Sequence, residues 1–466
     1  MSLATGADVG FGVAVKGRNA QAQVMTPIEA IHDLSWSDLP ENVRTQAKRC
    51  LLDLLGVGAA GAGTELSRII RAHAAAQFGG QGPIAFDSRR ASPAGAALAL
   101  GMTIDAVDGH DGYNPAKGHI GCGLVPAAWA IATDLAQDDG REFLTTLVLG
   151  YELGARLAVT LHATAGDYHT SGAWVAPAAA AAGARLMRLS QNATAHAVGI
   201  AEYHGPRSQM MRCIDHPTMV KDGSGWGAMA GVSAAYLARD GFTGAPALTF
   251  EGPAWADLGQ RWLILEQYFK PYPVCRWAQP PVEAALSLLR DHKLRPSEIT
   301  ALHVETFHES TRLAVSHPRN TEEAQYSTSF PVAVALARGR ITPEDLQGEA
   351  LTDPEILRLS AALEMTEHDH ANRNFPSGRF ARVTLTLADG RKVSSDWHSP
   401  KWDAAAPPSD AELTEKFHAM ATPSLGPDGA NRLFTAIHDV DSAGLRPLTE
   451  ALAQPIISET TRGSAA

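Results

Sequence analysis

From residue 26 onward the apolar positions recur with helical spacing. Pro40-Glu41-Asn42 opens a helix in which Val43, Ala47, Cys50, Leu51, Leu54 and Leu55 share one face, and Gly56, Gly58 and Gly61 are predicted to end it. The segments 93–106, 124–136, 142–160, 173–187, 226–240 and 278–290 are also apolar and helix-like. Alanine is frequent in them, as in the run from Ala176, and small side chains let helices approach closely. This part of the chain therefore reads as a tightly packed all-helical domain.

Near residue 296 the pattern changes. Ile299 to Phe307 alternates apolar and polar positions as a half-buried strand does. Arg382–Leu387 and Lys392–Ser395 flank Ala388-Asp389-Gly390, a hairpin with an Asp-Gly turn. Helical segments are predicted at 328–338 and 353–364, and residues 409–456 return to helix. The expected fold class is mainly α: a large all-helical domain over 1–270, completed by 403–466, and a smaller α+β domain over 271–402. The last nine residues, Ser458 to Ala466, read as a frayed tail.

Composition narrows the function classes. A chain of 466 residues suggests two or three domains and buries enough surface to need no disulfide or metal staple. Lys plus Arg is 39 against 50 Asp plus Glu, a formal net charge of -11. That argues against nucleic acid or an anionic membrane as partner, because phosphate binding needs a basic surface. It leaves room for a small basic pocket and a small anionic substrate. Cys50, Cys122, Cys213 and Cys275 are far apart, so no disulfide framework is expected and a reducing cytoplasm fits. The first 24 residues lack the apolar run of a signal peptide, and no charge-free, proline-free apolar stretch of 18 residues suggests a transmembrane span.

Four clusters carry candidate chemistry. Asp105-Ala-Val-Asp108-Gly-His110-Asp111 runs on to Lys117-Gly-His119, a loop dense in ionisable groups between two apolar helices. Tyr168-His169-Thr170-Ser171 precedes the Ala-rich helix; its hydroxyls suit capping, and a helix N-terminus disfavours a protonated His169. Glu202-Tyr-His-Gly-Pro-Arg207 is followed by Lys221-Asp222-Gly-Ser-Gly, where Lys221 stands before a helix. In Lys270-Pro-Tyr-Pro-Val-Cys275-Arg276, two prolines fix the backbone and hold a basic residue on either side, as a carboxylate clamp requires. Dinucleotide, Walker and nucleophile-elbow motifs are absent. His110, Asp111 and His119 leave a metal-dependent hydrolase open as an alternative, although H-E-x-x-H is absent and no metal site is expected.

These clusters, in this order and followed by Gln325-Tyr326-Ser327, resemble the MmgE/PrpD family over nearly the whole chain. The most specific pieces are K-P-Y-P-x-C-R at 270–276, Q-Y-S at 325 and G-F-T-G-x-P at 241–246, with L-L-D-L-L-G-V at 51–57. The resemblance implies an all-helical domain and an α+β lid with the active site between them, in a homodimer with no required cofactor. Its active-site region falls on Asp108, His119, His169, Lys221, Lys270, Cys275 and Tyr326. Family activities include 2-methylcitrate dehydratase, cis-aconitate decarboxylase and iminodisuccinate epimerase. The first motif is longer here than in the dehydratases, Lys221 is followed by Asp222 rather than a second basic residue, and Cys275 stands where the decarboxylase has histidine.

The expected chemistry is proton removal from a carbon next to a carboxylate. This needs cations against the developing charge and an acid/base group on each face. Lys117, Arg207, Lys221, Lys270 and Arg276, with Cys275, are the expected substrate binders. His119, His169 and Lys221 are the acid/base candidates; Tyr326 donates a proton or hydrogen bond, and Asp108 orients a partner. The altered motifs favour epimerisation of iminodisuccinate over dehydration, the alternative being a 2-methylcitrate dehydratase-type lyase. A non-catalytic relative is a third reading, weakened because most ionisable positions are occupied.

Overall fold

The computed structural model describes residues 25–457, so the readings of the first 24 residues and of the Ser458–Ala466 tail lie outside the described residues. The larger part is helical. Glu41–Gly61, Pro93–Asp105, Gly121–Asp134, Gly140–Thr164, Gly172–Leu186 and Ser224–Arg239 pack around one core running from Ala30 to Phe269. Asp410–His438 returns to this core and lies along Glu41–Gly61. Gly140–Thr164 is long and apolar enough to cross a membrane, but 94% of its apolar window is buried, as in a central core helix.

Two expectations need correction. Gly56 and Gly58 do not end their helix, which runs on to Gly61. A Cβ on Gly56 would come within 2.8 Å of the Phe417 ring, so this glycine serves helix contact rather than termination. The 353–364 segment also divides: the helix Pro354–Ala361 gives way to a strand, Leu363–Glu367. That strand pairs in parallel with Ile299–Thr306, and the pairing overrides local helical preference. The helices Glu65–Gln77 and Gln191–His204, absent from the sequence reading, are capped by the Thr64 and Ser190 hydroxyls.

The second core gathers Val274 to Leu387 and takes in Met210, Cys213 and Ile214 from the short helix Met210–Asp215. Its sheet has the order Leu363–Glu367, Ile299–Thr306, Arg382–Leu387, Lys392–Ser394, antiparallel after the first pair. The expected Asp389-Gly390 turn joins the last two strands, with Gly390 at φ 82°. Gln279–His292 and Ser329–Arg338 pack on one another, and the former also packs on Arg382–Leu387. A two-residue ladder pairs Gly112–Tyr113 with Gln267–Tyr268. It clips the 105–120 loop to the strand that leads into Lys270.

Candidate active site

The 105–120 loop is buried although it is rich in charge, so its conformation must supply partners for each group. The ammonium of Lys416 bonds the Gly109 carbonyl and the Asp53 carboxylate from beneath. The Tyr151 hydroxyl donates to Asp111. Burial, and then the charge of Asp53, push the Asp111 carboxyl up to about 7. The ring nitrogens of His110 face the Asp111 carbonyl at 3.1 Å and the Asp105 carboxylate at 3.4 Å.

His119 is fixed from three directions. Its backbone N–H donates to the Ser171 hydroxyl at 2.9 Å, and its carbonyl accepts from the Trp174 indole at 2.7 Å. Its Nδ1 lies 2.6 Å from the Asp111 carbonyl oxygen. A carbonyl only accepts, so Nδ1 carries the hydrogen and Nε2 of the neutral ring presents a lone pair. Burial, then the charges of His110 and Lys270, hold the His119 pKa well below the usual histidine range. Its Nε2 stands 4.0 Å from the Asp108 carboxylate.

Asp108, Lys117 and Lys221 have φ of 47°, 54° and 50°. This left-handed backbone is uncommon for such residues, and strain of about 1–3 kcal/mol each is a feature of functional turns. The turn at Asp108 brings its carboxylate 2.6 Å from the Lys270 ammonium, which also donates to the Asp108 carbonyl. Burial opposes the charge on Lys270, but Asp108 foremost, together with Tyr268 and Cys275, more than offsets it and raises the lysine's pKa. The turn at Lys221 puts its ammonium 2.5 Å from the amide oxygen of Gln325 and 4.7 Å from the centre of the Tyr326 ring. Burial and the Asp108 charge keep the Tyr326 phenol well above its ordinary pKa, so it stays protonated. Burial, and then the nearby Asp105 charge, lift Asp222 to about 7, and it accepts from the Ser171 hydroxyl.

The expected residues do not all converge. Asp108, His119, Lys221, Lys270 and Tyr326 form one cluster, with Cys275 beside Lys270 and Asp108. The Cys275 thiol is pushed up to about 12 by burial and then by Asp108, so it is a neutral thiol rather than a thiolate. Lys117 lies 5.0 Å over the Tyr168 ring and has no ion-pair partner among the described residues. His169 stands apart, its Nδ1 on the Asp167 carbonyl and its N–H donating to His162. Burial, then the charge of Lys117, bring that His162 down to about 4. Arg207 is exposed and lines a small cavity with Glu202, Thr249 and Trp174. Arg276 is already occupied: it bonds Asp403 at 2.7 Å and stacks 3.9 Å over the Tyr268 ring. Its place is to brace the cluster, because the pairing leaves it no free charge for a substrate.

The sequence reading passed over Gln325 as a partner for Lys221 and omitted Tyr268, Asn114 and Arg379. Gln325 had a signal in Q-Y-S. Arg379 had none, since it follows an ordinary Pro376-Ser377-Gly378 turn.

Asp108, His110 and His119 lie close enough together to suggest a cation site, with donor atoms within 4.8 Å of one another. The donor chemistry argues otherwise. Lys270 already sits on Asp108, both His110 nitrogens face protein acceptors, and His119 keeps only Nε2. The cluster suits an ammonium better than a metal ion.

Residues 28–258 match the MmgE/PrpD N-terminal domain, and residues 272–441 match the MmgE/PrpD C-terminal domain. The chain belongs to the MmgE/PrpD family. Within the family it is similar to human cis-aconitate decarboxylase, at 25% identity over 94% of this chain and 96% of that protein. The mouse cis-aconitate decarboxylase is 25% identical over 92% of this chain and 93% of its own length. A cis-aconitate decarboxylase-like protein, oryM, of Aspergillus oryzae is 24% identical over 89% of this chain and 93% of its own length. These MmgE/PrpD relatives are decarboxylases by name, and they lend no particular support to iminodisuccinate epimerisation.

Proposed function

We propose that this MmgE/PrpD protein is an enzyme that forms and reprotonates a carbanion next to a carboxylate of a small polycarboxylate, without a cofactor. The observation that carries this reading is His119. Its ring is held neutral, its tautomer is set by the Asp111 carbonyl, and its Nε2 faces a cluster holding Lys221, Lys270 and Tyr326. Such a base takes the α-proton, and the imidazolium that results forms beside Asp108. The charge of Lys221, bonded only to a neutral amide, stabilises the carbanion and its enediolate form. Tyr326, protonated and next to Lys221, returns a proton.

In epimerisation, the expected reaction from sequence, the proton leaves one face of the carbon and arrives at the other. The relatives favour a second reading. In decarboxylation the carbon–carboxylate bond breaks, CO2 departs, its electron pair stays on carbon, and the acid supplies the proton. Both reactions use the same cations and the same acid. A homodimer belongs to this reading. Trp226 and Leu237 are exposed on one face of Ser224–Arg239, next to exposed Met219 and Val220 and directly beyond the Lys221 turn. A second copy is the proposed cover, and sedimentation of the full chain tests it.

Proton NMR in D2O with EDTA tests the chemistry, using cis-aconitate, 2-methylcitrate and single stereoisomers of iminodisuccinate. Deuterium entering the product carbon with loss of CO2 from cis-aconitate assigns a decarboxylase. Interconversion of iminodisuccinate stereoisomers assigns an epimerase, and alkene from 2-methylcitrate a dehydratase. Inertness toward all three sinks the carbanion reading for these substrates.

A further inference from the structure

Four arginines are buried in the described part of the molecule: Arg71, Arg156, Arg276 and Arg379. The first three each face a carboxylate: Asp87 for Arg71, Glu152 and Asp257 for Arg156, and Asp403 for Arg276. Arg379 is 3% exposed and has no carboxylate partner among the described residues. One of its terminal nitrogens donates to the Asn114 amide oxygen at 2.8 Å and to the Pro376 carbonyl at 3.1 Å. Its Nε is buried with no hydrogen-bond partner. A buried guanidinium without a counter-charge is costly unless something else completes it.

Its position says what that something is. Arg379 reaches from the lid into the domain junction, where Asn114 of the helical domain also bonds Asp403. The Lys117 backbone N–H donates to the Asn114 carbonyl at 3.0 Å, so Arg379 rests on the same turn that carries Lys117. Tyr168 carries Lys117 over its ring, and the Tyr268 ring centre is 6.3 Å from that of His119. Asp403 in turn holds Arg276, which stacks over that Tyr268 ring, so a chain of contacts joins Arg379 to the surroundings of His119. The contact repeats the logic of Lys221, with the domains exchanged. There a lysine of the helical domain rests on a lid amide, Gln325; here a lid arginine rests on a helical-domain amide, Asn114. An amide satisfies hydrogen bonds without cancelling charge, so both cations keep theirs for a ligand.

We propose that Arg379, with Lys117 on the turn it contacts, is the lid's receptor for the central carboxylate of a tricarboxylate, a group distinct from the carboxylate at the reacting carbon, so that tricarboxylates are selected over dicarboxylates. This rests on the polycarboxylate reading of the site. A planar fork facing a carboxylate gives paired, charge-assisted hydrogen bonds, which a dicarboxylate lacking that group forfeits.

Calorimetric titration of the full-length protein with tricarballylate and with glutarate, which lacks the central carboxylate, tests it. The wild type should bind tricarballylate more tightly. In Arg379→Met that preference should fall by about 10- to 100-fold. Arg379→Lys, which keeps the charge and loses the fork, should retain part of it and gives the answer if the methionine variant does not fold. An unchanged preference in a folded variant overturns the role of Arg379 and leaves the polycarboxylate reading in place. Failure of the wild type to bind either acid or to act on any polycarboxylate overturns that reading, and this proposal with it.

Discussion

Two buried lysines on either side of the 105–120 loop have opposite fates. Lys416, beneath the loop, bonds the Asp53 carboxylate and the Gly109 carbonyl, so its charge is spent on holding the loop in shape. Lys221, above it at the domain junction, bonds only the Gln325 amide and keeps its charge. Lys270 lies between these cases: it is paired with Asp108 but shares the cluster with His119. The difference teaches how to separate support from chemistry among buried cations. A carboxylate partner marks a brace, and an amide partner marks a charge left available.

The largest expected effect is on the chemistry itself. His119→Gln should lower the rate of α-proton exchange by about 10²- to 10⁴-fold, with the fold kept, as NMR in D2O and circular dichroism would report. The wild-type rate should hold on the acid side to below the ordinary histidine pKa, because burial and neighbouring cations keep His119 neutral there.

Lys221→Met should cost about 10²- to 10³-fold in kcat with a modest loss of stability, since only a neutral amide is left unpaired. Lys416→Met should do the reverse. It leaves the buried Asp53 carboxylate without its ammonium, and a loss of about 3–5 kcal/mol in urea unfolding is expected. If Lys221→Met proves the more destabilising of the two, the distinction between brace and available charge fails.

The smallest effect is a pH dependence. The Asp111 carboxyl holds its proton up to about pH 7 in the folded protein. In the unfolded chain it loses that proton near pH 4, in the ordinary aspartate range. Between those values the native state binds the extra proton, so this group's contribution to stability is full below the unfolded pKa and is lost as the pH rises toward 7. Asp111→Asn removes that loss. Its melting temperature relative to wild type should therefore rise from pH 5 to pH 8, and a flat difference would show that Asp111 titrates normally.

Much of the architecture was legible in the residues. Helical spacing located the packed helices, and alternation located Ile299–Thr306 and the Asp389-Gly390 hairpin. These signals are local: they depend on which face of a helix or strand is apolar. The strand Leu363–Glu367 was not legible, because its pairing with Ile299–Thr306 is a long-range contact that no window of sequence contains. Gly56 was misread for the same reason, since the ring of Phe417 that requires it lies far along the chain.

The site divides in the same way. By itself the sequence determined the residue types: loops rich in Asp, His and Lys between apolar helices, and a proline-fixed basic segment from Lys270. Only the tertiary structure decided which of those charges are free. The sequence singled out Arg276 and passed over Arg379, yet Arg276 meets the Asp403 carboxylate and Arg379 meets only the Asn114 amide. A residue's charge is set by its own chemistry, but whether that charge is cancelled depends on a partner brought close by folding, and two domains had to meet before Lys221 found Gln325 and Arg379 found Asn114.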